Sequence, residues 1–132
     1  MLGEMIGETN GKRIVRRVLS TEPPTVEVSF EDAGKLGGAA MTGFGTYTSV
    51  VRADGSILGH GEGAAFTPDG EMVSWKGSGI GKFKEHGAIS YRGILYYHTP
   101  SQKLAKLNNM AGVFELEIAP EGKMHSKIWE WK

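Results

Sequence analysis

The chain has 132 residues, enough for one domain with a core that needs no staples, and its 15 basic and 15 acidic side chains give a formal net charge of +0. No basic excess points to nucleic acid or an anionic membrane as a partner, and the absence of cysteine excludes disulfides, thiolate metal sites and a cysteine nucleophile. The opening residues Met1 to Ile6 carry an early acid and no sustained apolar run, and nothing approaches the ~18 apolar residues of a membrane helix, so the expectation is a soluble, cytoplasmic protein with residues 1–132 forming a single domain.

In chain order, Asn10-Gly11 is a type I′ hairpin signal and predicts a turn between strands at 5–8 and 12–19. Arg13, Arg16 and Arg17 on the second of these read as a solvated edge that discourages aggregation. Pro23-Pro24 starts a new segment, in which Val26, Val28 and Phe30 alternate with Glu27, Ser29 and Glu31. Asp54-Gly55 separates 41–52 from 56–66, and Pro68-Asp69-Gly70, His86-Gly87 and Glu121-Gly122 mark further turns. The run 88–98 is apolar on both faces, as a strand covered on both sides would be. Ser101 to Leu107 follows Pro100 and predicts one short helical turn near 101–107, ended by Asn108-Asn109. Residues 113–118 and 127–131 return to a period of two. About nine strand candidates at hairpin spacing predict an all-β fold, an antiparallel meander closed into a small barrel of about eight strands.

Glycine is the compositional outlier, with 20 residues. Gly43 and Gly45 lie two apart on one strand, Gly59, Gly61 and Gly63 on the next, and Gly77, Gly79 and Gly81 on the one after, so three successive strands each carry a stripe without side chains. A dinucleotide fingerprint would need a helix after the glycines, and here each run continues into strand. Two readings remain. In one the stripes let a tightly coiled sheet bend, with Trp75, Phe83 and Phe44 packing over them; in the other they leave room for a ligand.

The alternating glycines after the Asp54-Gly55 turn, and the late stretch Leu104 to Glu115 with its leucine-bearing turn running into Gly-x-Phe-Glu, resemble small lipocalin-like barrels of the allene oxide cyclase-like type. The resemblance spans roughly residues 39–118. It implies an eight-strand barrel with an apolar cavity, often oligomeric. The plant cyclases use a carboxylate, an asparagine and a tyrosine near a cysteine; this chain has no cysteine and no position-by-position match, so no catalytic set and no cyclase activity are carried over.

The ligand-binding candidates are Phe44, Tyr47, Trp75, Tyr91 and Phe114 as cavity lining, with Trp129 as an addition and Arg92 paired with Glu62 or Glu115 as the polar anchor. Tyr96 and Tyr97 join Tyr47 and Tyr91 as sources of hydroxyls on apolar walls. For Arg92 the competing reading is an outward, solvated side chain. His60, His86, His98 and His125 lack the close spacing of a metal motif, and neither metal nor cofactor is expected. Trp129 and Trp131 share one face and need a cover, either the N-terminal hairpin through Ile14, Val18 and Leu19 or a second subunit of a homo-oligomer. Three functions follow: a barrel binding a small apolar molecule, an isomerase or cyclase-like enzyme using a carboxylate (Glu62 or Glu115) and a tyrosine, or an interaction protein without a small-molecule site.

Overall fold

The computed structural model describes residues Met1–Lys132. Eight strands run in order: β1 (Leu2–Thr21), β2 (Pro24–Leu36), β3 (Ala39–Val51), β4 (Ile57–Phe66), β5 (Met72–Phe83), β6 (Ile89–His98), β7 (Ala111–Ile118) and β8 (Lys123–Trp131). Each pairs antiparallel with the next, and β1 pairs with β8, which closes the ring. Closure removes the edges that an open sheet would expose. No helix is long and apolar enough to cross a membrane.

Two local expectations are corrected. Asn10-Gly11 is no turn: both residues lie in the middle of β1, where Gly11 pairs with Asp32 on one side and Met124 on the other. Gly11 serves close approach instead, since a Cβ there would run into the Glu31 carbonyl and stand 2.7 Å from Asp32 Cβ. The first reversal comes at Thr21 to Pro24, so nine strand candidates become eight. The helical turn predicted near 101–107 is a short 3₁₀ turn at Ala105–Asn109.

The β6–β7 connection plugs one end of the barrel. Leu104 and Leu107, both fully buried, pack there with Leu36, Met41, Val73, Tyr97 and Ile128. A polar latch holds the plug against the β4–β5 turn. The Ser101 hydroxyl donates to Glu71 Oε1 at 2.7 Å, the Thr99 hydroxyl donates to the Met72 carbonyl at 2.7 Å, and Lys103 Nζ lies 3.1 Å from Glu71 Oε2. Asn108 pairs with the backbone of Thr99 in both directions. Toward the other end a second layer forms from Phe30, Ile57, Tyr91, Ile118 and Met124.

Candidate functional site

The interior is set by strand parity. On β3 the inward residues include Met41, Gly43, Gly45 and Tyr47; on β4 they are Ile57, Gly59, Gly61 and Gly63; on β5, Val73, Trp75, Gly77, Gly79 and Gly81. All three glycine stripes therefore point into the barrel. One cross-strand row explains their use: Phe30, Gly45, Gly63 and Trp75 stand side by side on β2 to β5. The two glycines allow the Phe30 and Trp75 rings to meet, stacked with centroids 6.1 Å apart. A Cβ at Gly45 would come 2.7 Å from Trp75 Cζ2, and one at Gly63 2.6 Å. Tyr91 lies over Gly59 and Gly81 in the same way, and Phe114 over Gly93. The stripes thus act as seats for large side chains. Trp75 takes one of those seats, whereas Phe44 points outward and Phe83, the last residue of β5, is exposed at the strand end.

Large rings over the glycines do not fill the barrel. A cavity of about 140 Å³ remains between the two core layers. Its wall is chiefly apolar and aromatic, with Phe30, Tyr47, Trp75, Tyr91, Tyr97 and Phe114 all contributing. Tyr47 and Tyr91 meet edge to face at 5.9 Å. Burial pushes both phenols above their ordinary range.

Two polar groups in this wall stand out. Asp32 follows Val26, Val28 and Phe30 on the inward parity of β2 and lines the cavity. Its cross-strand neighbours are Gly11 on β1 and Gly43 on β3, so neither residue directly opposite offers it a side chain. Desolvation raises its carboxyl above the usual carboxylate range, and the Thr9 hydroxyl beside it works in the opposite direction. Tyr97, on β6, stands four strands away on the opposite wall. It is 7% exposed, and its hydroxyl is buried without a hydrogen-bond partner. Burial, then the charge of Asp32, hold the Tyr97 phenol above its ordinary range.

Of the residues expected at the site, Tyr47, Trp75, Tyr91 and Phe114 line the cavity. Phe44, Glu62, Arg92 and Glu115 do not. An unbulged strand shows alternate residues to one face, so inward Gly43 and Gly45 force Phe44 outward, 58% exposed. Inward Gly61 and Gly63 do the same to Glu62, inward Tyr91 and Gly93 to Arg92, and inward Phe114 and Leu116 to Glu115. On the outer wall Arg92 meets Glu117 at 3.1 Å and its cross-strand neighbour Glu115 at 3.8 Å. Trp129 is also outside, beside Met5 and Val113. Ile14, Val18 and Leu19 do not cover the tryptophans; they are exposed at the far end of β1. The cavity-lining carboxyl that the sequence reading did not single out is Asp32, and its signal was the continuation of the Val26, Val28, Phe30 alternation by one more step.

No family model matches the chain, and no curated protein matches it. Solved structures do share the fold. A β-barrel-like protein from Acinetobacter baumannii superposes with a TM-score of 0.80 at 13% identity, over 100% of this chain and 96% of that one. A protein of unknown function from Clostridium acetobutylicum gives 0.77 at 16% identity, over 97% and 98%. An enzyme from Penicillium herquei gives 0.66 at 16% identity, over 96% and 92%. The eight-strand closed barrel is common to this chain and these neighbours.

Proposed function

We propose that this barrel binds a small, largely apolar molecule in its interior, in the manner of lipocalin-like and allene oxide cyclase-like barrels. The observation that carries the reading is the aromatic-walled cavity of about 140 Å³ with an unpartnered buried hydroxyl, that of Tyr97, in its wall. A buried polar group without a partner costs about 1–3 kcal/mol, so such a group at a cavity wall marks a place for a ligand atom. A dry cavity of about 150 Å³ is large enough for benzene, which sets the scale of the occupant at a single ring with a few substituents. Native mass spectrometry of the purified chain, and calorimetric titration with single-ring compounds, test this. Ser126 lines the cavity, and Ser126→Leu is expected to abolish binding without unfolding the barrel. Binding that survives the filled cavity would rule the site out.

A second reading has its own support. A carboxyl of raised pKa and a tyrosine hydroxyl on facing walls are the groups that a proton-transfer enzyme needs. In this reading Asp32 replaces Glu62 and Glu115, which lie outside the barrel, as the carboxylate. One solved neighbour is itself an enzyme. Exchange of solvent deuterium into a bound ketone, lost in Asp32→Asn, would favour it over simple binding.

A further inference from the structure

Asp32 is a carboxylate without a counter-ion. The ion pairs of the chain are Lys12–Glu31, Arg17–Glu27, Arg92–Glu115, Arg92–Glu117, Lys103–Asp69, Lys103–Glu71 and His125–Glu8, and none includes Asp32. Register explains this. Gly11 and Gly43 flank Asp32 across the sheet, and Phe30 and Gly34 precede and follow it on the inward face of β2. Arg13 reaches to the β7–β8 turn, where its Nη2 donates to the Pro120 carbonyl at 3.3 Å, and its charge acts on the Tyr47 phenol rather than on Asp32. Around the cavity stand aromatic rings: Phe30, Trp75 and Tyr47 form one connected group, with Phe30–Tyr47 centroids 6.0 Å apart. Across the barrel is the orphan oxygen of Tyr97.

A lone carboxylate, aromatic faces and a free hydroxyl oxygen around a ring-sized space form a set that a small cation complements best. We infer that the cavity takes a small organic cation, an ammonium group carried on a single aromatic or alicyclic ring, with Asp32 as its counter-ion and the Tyr97 hydroxyl oxygen as a second acceptor. The inference rests on the reading that the cavity holds a ligand, and it names the class. An ammonium carries N–H donors and no acceptor, which matches the Asp32 carboxylate and the lone pairs of the Tyr97 oxygen. Its charge is attracted by the ring faces as well as by the carboxylate. A neutral alcohol can bond the same two groups, but it leaves Asp32 without an opposite charge, and hydrogen bonds to charged groups are worth more than neutral ones.

The test is calorimetric titration of the intact chain at neutral pH with benzylamine, benzyl alcohol and toluene, in the wild type, Asp32→Asn and Tyr97→Phe. Benzylamine is expected to bind about tenfold or more tighter than benzyl alcohol, the factor that separates charged from neutral hydrogen bonds. Asp32→Asn should remove that advantage while leaving toluene binding within about twofold, and Tyr97→Phe should weaken the amine by a smaller factor. Circular dichroism confirms the fold of each variant. Should Asp32→Asn fail to fold, the wild-type ranking and Tyr97→Phe still decide. Equal binding of alcohol and amine, or an amine affinity unchanged in Asp32→Asn, overturns the ammonium assignment and leaves the cavity-binding reading intact. Absence of binding by all three compounds overturns both.

Discussion

Asp32 and Gly43 face each other across the β2–β3 pair, and a methyl group on Gly43 would lie 2.9 Å from Asp32 Oδ1. It would also lie 2.8 Å from the Ala64 carbonyl oxygen, on the neighbouring strand. The side chain at the end of the clash, Asp32, can turn, but the β4 backbone has to shift. Gly43→Ala is therefore expected to cost about 1–3 kcal/mol, the usual range for overpacking a filled interior. It should also displace the carboxyl and weaken any ligand held there. Denaturant midpoints and calorimetry on one variant measure both effects. Full stability in Gly43→Ala would mean that the strand pair is looser than the register implies.

Asp32 itself should cost the fold stability. Its folded pKa is raised by desolvation, with only the Thr9 hydroxyl opposing the rise. The sign follows from linkage. Below the ordinary carboxyl pKa both states hold the proton and there is no penalty. As pH rises through the range between the unfolded and folded values, the unfolded chain releases its proton first, and stability falls. Above the folded value the penalty is complete. Asp32→Asn is accordingly expected to melt higher than wild type at pH 7, with the gap closing as the pH drops toward the ordinary carboxyl range. Thermal scans at several pH values give the answer, and a variant that melts lower at every pH would contradict a desolvated, unpaired carboxyl.

Tyr97 separates the cost of a hydroxyl from the cost of a ring. Its oxygen has no partner, so Tyr97→Phe removes a polar group that the unliganded fold does not use. Stability should hold or rise by up to about 1 kcal/mol, because losing an unsatisfied group is neutral to favourable. Tyr97→Ala removes a ring that packs with Leu36, Met41 and Leu107, and should cost about 3–5 kcal/mol. A large loss in Tyr97→Phe, read from denaturant midpoints, would show that the hydroxyl is satisfied in solution.

Much of this architecture was legible in the sequence, because the signals concerned are local. The Asp54-Gly55 and Pro68-Asp69-Gly70 turns, the period of two and the glycine spacing each act over a few residues and predict the meander. Asn10-Gly11 misled for a physical reason: glycine in a strand answers equally to a turn and to a close neighbour, and only the partner strand, here Asp32 on β2, decides which. The site was half legible. Tyr47, Trp75, Tyr91 and Phe114 are large groups that glycine stripes invite inward. Phe44 and Tyr47 differ by three positions, as Tyr91 and Arg92 differ by one, so one regular strand cannot turn both members of either pair inward. Choosing between parities needed the register. With Phe30 inward, Asp32 was bound to follow, yet a carboxyl on an apolar face runs against the expectation that acids are solvated.

The latch that holds the barrel plug should give the fold an acid limit. Bonding from the Thr67 hydroxyl and the charge of Lys103 hold the Asp69 carboxyl below its ordinary range. The Ser101 hydroxyl and Lys103 do the same for Glu71. Both carboxylates are thus favoured in the folded state. The stability they contribute is present above the unfolded carboxyl pKa and is lost as pH falls through the lowered folded values. Leu104 and Leu107 sit directly beyond the latch, so acid should release the plug and uncover Leu107, which is 0% exposed at rest. Glu71→Gln keeps an acceptor for Ser101 while removing the charge that meets Lys103. It is expected to flatten the acid limb of the stability profile and to leave the melting temperature between pH 7 and 8 lowered by a few degrees at most. Hydrogen exchange at the Leu104 and Leu107 amides reports the plug directly. Protection that is equal at pH 3 and pH 7, after correction for intrinsic exchange, would show that the apolar contacts hold the plug without the latch.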